Sequence, residues 1–241
     1  MNLLEFKDVT KYFGGLAALK AVSFYTQPEE ILGLIGPNGA GKTTLFNLIS
    51  GVYSPSSGEI YLNKDSIKGL KPYQICKMGV GRTFQIMQPF GNMTILENVL
   101  TGVLFGRGSR LQLNEARKKA IDLCEFVGIG DKVGAIATEV TLADQKRMEI
   151  ARALAVKPML ILFDEVMAGL NPTEIDEAID LVERVRKMGI TIILIEHIMR
   201  VVMNICDRVI VLHHGEKIAE GTSEVISKDK EVINAYLGEE I

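Results

Sequence analysis

Apolar residues near the start of the chain follow a short period. Leu3 to Val9 alternates with polar residues, Ala21 to Thr26 follows, and Ile31 to Ile35 is an unbroken apolar run. Side chains of a strand point to opposite faces in turn. Alternation therefore predicts half-buried strands, and a continuous short run predicts a strand covered on both faces. The run at 31–35 ends in a glycine cluster; beyond it Thr44 to Ser50 reads as a helix and Gly58 to Leu62 as another strand.

From about Gln85 the period lengthens. Leu96, Val99, Leu100 and Val103 recur at helical spacing, as do Ala116, Ala120, Leu123 and Val127. Between Thr141 and Val156 the apolar positions Met148, Ala151, Leu154 and Ala155 again share one helical face. Strand-like runs return at Met159 to Phe163, Thr191 to Ile195 and Arg208 to Leu212, and a helix over Thr173–Lys187 separates the first two. Strands alternating with helices predict an α/β body around a mostly parallel sheet. The helical block reads as an insertion, giving a core of residues 1–84 and 157–241 and a helical subdomain of about residues 85–156.

Composition narrows the class. The chain has 241 residues, 47% of them hydrophobic, enough for a sizeable core and too apolar for disorder. Lys plus Arg number 27 and Asp plus Glu 30, so the net charge of −3 carries no electrostatic footprint for nucleic acid or anionic lipid. The apolar runs fall short of the roughly 18 residues of a membrane span. The first ten residues alternate instead of forming a charged-then-apolar leader. Cys76, Cys124 and Cys206 lack CxxC spacing and read as reduced thiols. A soluble protein of a reducing compartment is expected.

Gly36-Pro37-Asn38-Gly39-Ala40-Gly41-Lys42-Thr43, followed by Thr44, fits the phosphate-loop pattern GxxxxGK[ST], with a strand before it and a helix after it. Glycines let successive backbone N–H groups curl around phosphate oxygens, and the helix N-terminus adds partial positive charge. Lys42 would reach the β- and γ-phosphates, and the Thr43 hydroxyl would hold Mg²⁺. Leu160-Ile-Leu-Phe-Asp164-Glu165 reads as a buried strand ending in two carboxylates. Asp164 then needs a partner, for which Mg²⁺ would serve, and Glu165 is placed to polarise a water. His197 follows the strand Thr191–Ile195, and Phe13 is an aromatic before Gly14-Gly15 on which an adenine could stack.

In this order and spacing the phosphate loop, Gln85, Asp164-Glu165, the turn Ala168-Gly-Leu-Asn171 and His197 resemble the nucleotide-binding subunit of an ABC transporter. The likeness spans essentially the whole chain. Tyr12-Phe-Gly-Gly-Leu, Arg82-Thr-Phe-Gln, Met93-Thr-Ile-Leu-Glu-Asn, Ala168-Gly-Leu-Asn-Pro, Ile195-Glu-His and Ala235-Tyr-Leu-Gly-Glu look most like the branched-chain amino acid uptake group. The resemblance implies a P-loop NTPase fold with N-terminal antiparallel strands, and a peripheral position at the cytoplasmic face of the membrane. It also implies ATP and Mg²⁺ as cofactors. It assigns adenine stacking to Phe13, Mg²⁺ sensing and coupling to Gln85, the general base to Glu165, a dimer-interface position to Asn171 and a γ-phosphate contact to His197. The implied partners are a second ATP-binding subunit, identical or paralogous, and an integral-membrane permease, with no nucleic acid. Gln85–Asn98, carrying Ile86, Met87, Pro89, Phe90 and Met93, is the expected docking segment.

One stretch departs from the family. Where the signature approximates Leu-Ser-Gly-Gly-Gln, this chain has Val140-Thr141-Leu142-Ala143-Asp144. Thr141-x-x-Asp144 has the form of a capping box, with Asp144 expected to reach back to the Thr141 backbone N–H. A carboxylate ~8 Å from the partner's γ-phosphate would cost about 2 kcal/mol at an effective dielectric of 20. That leaves open a module that closes on ATP but hydrolyses it weakly. A GTPase-type switch and a soluble ABC protein of DNA repair or translation are further readings. Against them, Asn63-Lys-Asp65 places its acid one residue early for guanine, and the helical block lacks sustained heptads.

Overall fold

β-Bulges shape the first two strands of the computed structural model, which describes residues 2–85 and 88–237. β1 (Leu4–Phe13) and β2 (Leu16–Thr26) form an antiparallel hairpin that turns at Gly14 and Gly15. The register shifts between Phe6 and Val9, and Asp8 (φ 47°) and Ala21 (φ 46°) adopt the left-handed conformation there. An extra residue at a bulge resets which positions face inward. Leu4 and Phe6 are buried, and Val9, not Asp8, is the next. This is why simple alternation stops at Val9 and resumes at Ala21, while the strands run on to Phe13 and begin at Leu16.

The strands that follow are β3 (Ile31–Ile35), β4 (Ser57–Leu62), β5 (Asp65–Ser66), β6 (Val80–Arg82), β7 (Leu160–Asp164), β8 (Thr191–Ile195), β9 (Arg208–His213) and β10 (Glu216–Gly221). The helices are α1 (Lys42–Ile49), α2 (Pro72–Met78), α3 (Ile95–Phe105), α4 (Leu113–Phe126), α5 (Leu142–Ala155), α6 (Pro172–Arg186), α7 (Met199–Ile205), α8 (Ser223–Ile226) and α9 (Lys230–Leu237), with a 3-10 turn at Gly130–Lys132. They fall into two compact units, Met1–Ile75 with Arg186–Ile241, and Cys76–Val185.

In the first unit β2-β1-β4-β5 make an antiparallel sheet. β3 lies between β8 and β9, parallel to both, and β10 closes that edge antiparallel to β9. Every residue of β3 and β8 is buried, as a continuous apolar run requires of a strand covered on both faces. β10 escapes the pattern because its charged, half-exposed residues suit an edge strand. The second unit holds the parallel pair β6–β7 and a helical body in which α3 packs against α4 and α5. Val99, Val103, Ala116, Ala120, Cys124, Met148 and Ala151 form its core. Among the described residues no helix is long and apolar enough to cross a membrane.

Candidate functional site

α1 starts at Lys42, two residues before the Thr44 expected from periodicity, so Lys42, Thr43 and Thr44 occupy its first turn. Its N-cap, Gly41, is left-handed (φ 107°), and no side chain caps the helix. A Cβ on Gly41 would come within 2.6 Å of the Ala18 carbonyl oxygen, and one on Gly36 within 2.1 Å of that of Leu212. Only glycine fits either position. Lys42 is buried and its ammonium donates to the carbonyls of Gly36 (2.5 Å) and Pro37 (2.8 Å). The lysine therefore arches over its own loop, and no acidic residue lies in the first turn of α1. The result is a glycine-shaped loop, a buried cation and a helix N-terminus without a side-chain cap, which together suit a polyphosphate.

At the end of β1, Phe13 is 40% exposed and meets Tyr53 edge-on at 5.0 Å, with the Lys11 ammonium 5.1 Å over its ring. Sequence reading names Phe13 but misses Tyr53, 40 positions away. His197 is exposed just beyond β8.

In the second unit β7 delivers Asp164 and Glu165. Asp164 is 3% exposed and paired with Arg82 at 3.2 Å, while its N–H donates to the Thr83 hydroxyl. Mg²⁺ is thus not required to explain how this buried carboxylate is tolerated: the protein supplies a guanidinium. Burial pulls the Arg82 pKa down, with Asp164 opposing it. Glu165 is left-handed (φ 53°), a conformation that costs a non-glycine residue and recurs at functional positions. Gln85 donates from Nε2 to Glu165 Oε2 at 2.9 Å, and Lys146 donates to the Glu165 carbonyl at 3.0 Å.

One helix organises this unit. α5 carries Thr141 at its N-cap, Lys146 against Glu165, and Glu149 and Arg152 against the backbone N–H and carbonyl of Gln88. Burial raises the Glu149 carboxyl above its ordinary range, partly offset by the Gln88 N–H and by Arg152. In the segment 85–98, expected from the sequence to dock a permease, Phe90 is 48% exposed with the Arg152 guanidinium 5.1 Å over its ring, and the buried Asn98 amide donates to the carbonyls of Phe90, Met93 and Thr94. Pro89 and Met93 are half-buried, whereas Ile86 and Met87 lie outside the described residues. Asn171 caps α6 reciprocally with Glu174: its Oδ1 accepts the Glu174 N–H (3.0 Å) and its own N–H meets the Glu174 carboxylate (2.8 Å).

At the start of α5, Thr141 is the N-cap, with Leu142, Ala143 and Asp144 following as expected. The carboxylate's closest partners differ from the expectation. Asp144 accepts the Thr141 hydroxyl proton at 2.7 Å, and its two oxygens meet the Lys132 ammonium at 2.9 and 2.8 Å. Burial alone would raise the Asp144 carboxyl. Hydrogen bonds from Lys132 and Thr141 outweigh it and hold the group below its usual value.

The ABC transporter family model matches residues 19–168. The high-affinity branched-chain amino acid transport ATP-binding protein LivG of Escherichia coli strain K12 is 40% identical over 250 residues, covering 98% of each chain. The chain belongs to the ABC transporter family. It is an ATP-binding cassette, an ATPase whose hydrolysis is coupled to transport. A model of the branched-chain amino acid ATP-binding cassette transporter family matches the cassette's residues 216–241. Its fold is shared with the ADP conformation of MJ1267, an ATP-binding cassette of an ABC transporter (TM-score 0.89, 32% identity, 99% of each chain covered). It is also shared with the dimeric post-hydrolysis state of the cassette MJ0796 bound to ADP and Pi (TM-score 0.83, 27% identity, 91% of this chain and 98% of that one).

Proposed function

We propose that this cassette energises the uptake of branched-chain or related amino acids, acting at the cytoplasmic face of a membrane through an integral-membrane permease. The likeness to LivG over nearly the full length of both chains carries this reading, and the C-terminal match at residues 216–241 supports it. In the proposed cycle two cassettes, identical or paralogous, enclose two ATP molecules. Each ATP lies between the loop Gly36–Thr43 of one subunit and the start of α5 in the other. Phe13, with Tyr53 beside it, takes the adenine. The N–H groups of Gly36, Asn38, Gly39, Ala40, Gly41, Lys42, Thr43 and Thr44 cradle the phosphates; Pro37, which has no N–H, holds the loop's backbone angle. Lys42 shifts part of its bonding from the loop carbonyls to phosphate oxygens.

The Thr43 hydroxyl, the Gln85 amide oxygen and the Asp164 carboxylate are hard oxygen donors of the kind Mg²⁺ selects. Bound with ATP, the ion would neutralise charge on the phosphates. Glu165 orients and deprotonates the attacking water, and His197 contacts the γ-phosphate. Gln85, hydrogen-bonded to Glu165 in this structure, joins the metal position to the base and to Gln85–Asn98, the segment assigned to the permease. Thr141 and the Ala143 N–H receive the partner's γ-phosphate, and Asn171 lies at the subunit interface.

Uptake of radiolabelled leucine, isoleucine and valine into cells lacking this gene tests the substrate class. Uptake is expected to fall, and to be restored by the wild-type gene but not by Lys42→Ala. Unchanged uptake of all three would overturn the assignment.

A further inference from the structure

The first turn of α5 holds an acid where the site receives phosphate. Asp144 is 6% exposed, and it takes the Thr141 hydroxyl proton at 2.7 Å. Left to itself, that carboxylate would oppose a second negative group at the same helix end. Lys132, from the 3-10 turn Gly130–Lys132, binds both of its oxygens at 2.9 and 2.8 Å. The lysine side chain is 40% exposed, so it costs little desolvation, while the acid it serves lies almost wholly inside.

We propose that Lys132 is the positioning residue of this signature: it cancels the charge of Asp144, so that the N-terminus of α5 can accept the ATP held by the partner subunit. The inference rests on the two-cassette reading above. The other charges acting on Lys132 are Asp131 and Arg147, of opposite sign and weaker influence than Asp144. The ammonium therefore belongs chiefly to Asp144. The geometry also gives it a second role. As a γ-phosphate approaches, Lys132 keeps Asp144 in place while the Thr141 hydroxyl turns from carboxylate to phosphate.

The test uses the full chain carrying Glu165→Gln, with Mg²⁺ and ATP. Dimerisation is read by sedimentation velocity and monomer ATP affinity by calorimetry. Lys132→Ala should weaken the ATP-bound dimer about tenfold for each of its two ATP sites, about a hundredfold in all. An unscreened carboxylate ~8 Å from the phosphate gives about thirtyfold at an effective dielectric of 20, and solvent around the exposed lysine reduces it. Lys132→Arg should preserve dimerisation, and Lys132→Ala with Asp144→Asn should restore it, because removing both charges removes the conflict. The Lys132→Ala defect should shrink as salt rises, which a merely structural lesion would not do. Monomer ATP affinity should stay constant across the series, since the loop at 36–43 is untouched. Wild-type dimerisation in Lys132→Ala, or a double variant as weak as the single one, overturns the role of Lys132. A parent protein that binds ATP but never dimerises overturns the two-cassette reading itself, and this inference with it.

Discussion

Two helix N-termini in this cassette present opposite solutions to the same electrostatic situation. α1 begins at Lys42 with a left-handed glycine as N-cap, no side-chain cap and no acid in its first turn. α5 begins at Leu142 with Thr141 as a capping side chain and Asp144 in its first turn, itself bound to Lys132. Every helix start has unpaired N–H groups and partial positive charge. At α1 that potential is left for a ligand and the lysine folds onto its own loop. At α5 the protein supplies its own anion and a cation to balance it. In the cycle proposed above, the two ends would divide the work of holding ATP. α1 would bind nucleotide by itself, whereas α5, capped and charge-balanced without a ligand, would engage phosphate only when a partner brings it.

The largest expected effect removes the chemistry that both ends serve. Glu165→Gln should lower ATP turnover by about 10²–10⁴-fold, the usual span of a positioned general base, while ATP still binds. Turnover near wild type would exclude Glu165 as the base. Next comes the loop itself. Gly41→Ala places a Cβ 2.6 Å from the Ala18 carbonyl oxygen at a φ of 107°, and strain of this kind costs about 1–3 kcal/mol. Thermal unfolding should register that loss and nucleotide titration a weaker loop. The matching change at the other end, Ala143→Gly, should cost about 0.5–1 kcal/mol at most. Equal losses at the two sites would erase the distinction between them.

How far the sequence exposes these two ends follows from the range of the interactions. The α1 site is local: strand, glycines, lysine and helix are contiguous, so Gly36–Thr43 and its flanks are readable in order. β3, β7 and β8 are readable too, because wholly buried strands are continuous apolar runs. The bulges at Asp8 and Ala21 hide half of β1 and β2, and charged edge residues hide β10. What the pattern does not reveal are partners from distant segments. Arg82 meets Asp164 across 82 positions, Gln85 meets Glu165 across 80, and Lys132 meets Asp144 across 12. A charged residue in a polar stretch carries no local mark of the carboxylate it will face. Thr141-x-x-Asp144 does announce a cap, yet only the fold shows that the acid binds the hydroxyl and a lysine.

Smaller effects sharpen the account of α5. Thr141→Ala removes an N-cap and should cost about 1 kcal/mol of stability, read from chemical denaturation. The acid dependence should be smaller still. Because Asp144 sits below its ordinary value of 3.8 in the folded protein, its contribution is complete above that value and is lost as pH falls through the folded one. The stability difference between wild type and Asp144→Asn should therefore be level between about pH 5 and pH 9 and vanish under strongly acidic conditions. A difference that grew on acidification would contradict the pairing.

The most direct test of the contrast between the two ends is calorimetric titration of ATP into the monomeric chain, with Lys42→Ala and Asp144→Gln side by side. Charge-assisted hydrogen bonds contribute about 1.5–3 kcal/mol each, so Lys42→Ala should lose about 10- to 150-fold in affinity. Asp144→Gln should bind ATP as the parent does, because in the proposed cycle α5 serves only the nucleotide of the partner subunit. Undiminished affinity in Lys42→Ala, or an equal loss in both variants, would contradict the assignment of α1 as the phosphate seat and α5 as the end that waits for a partner.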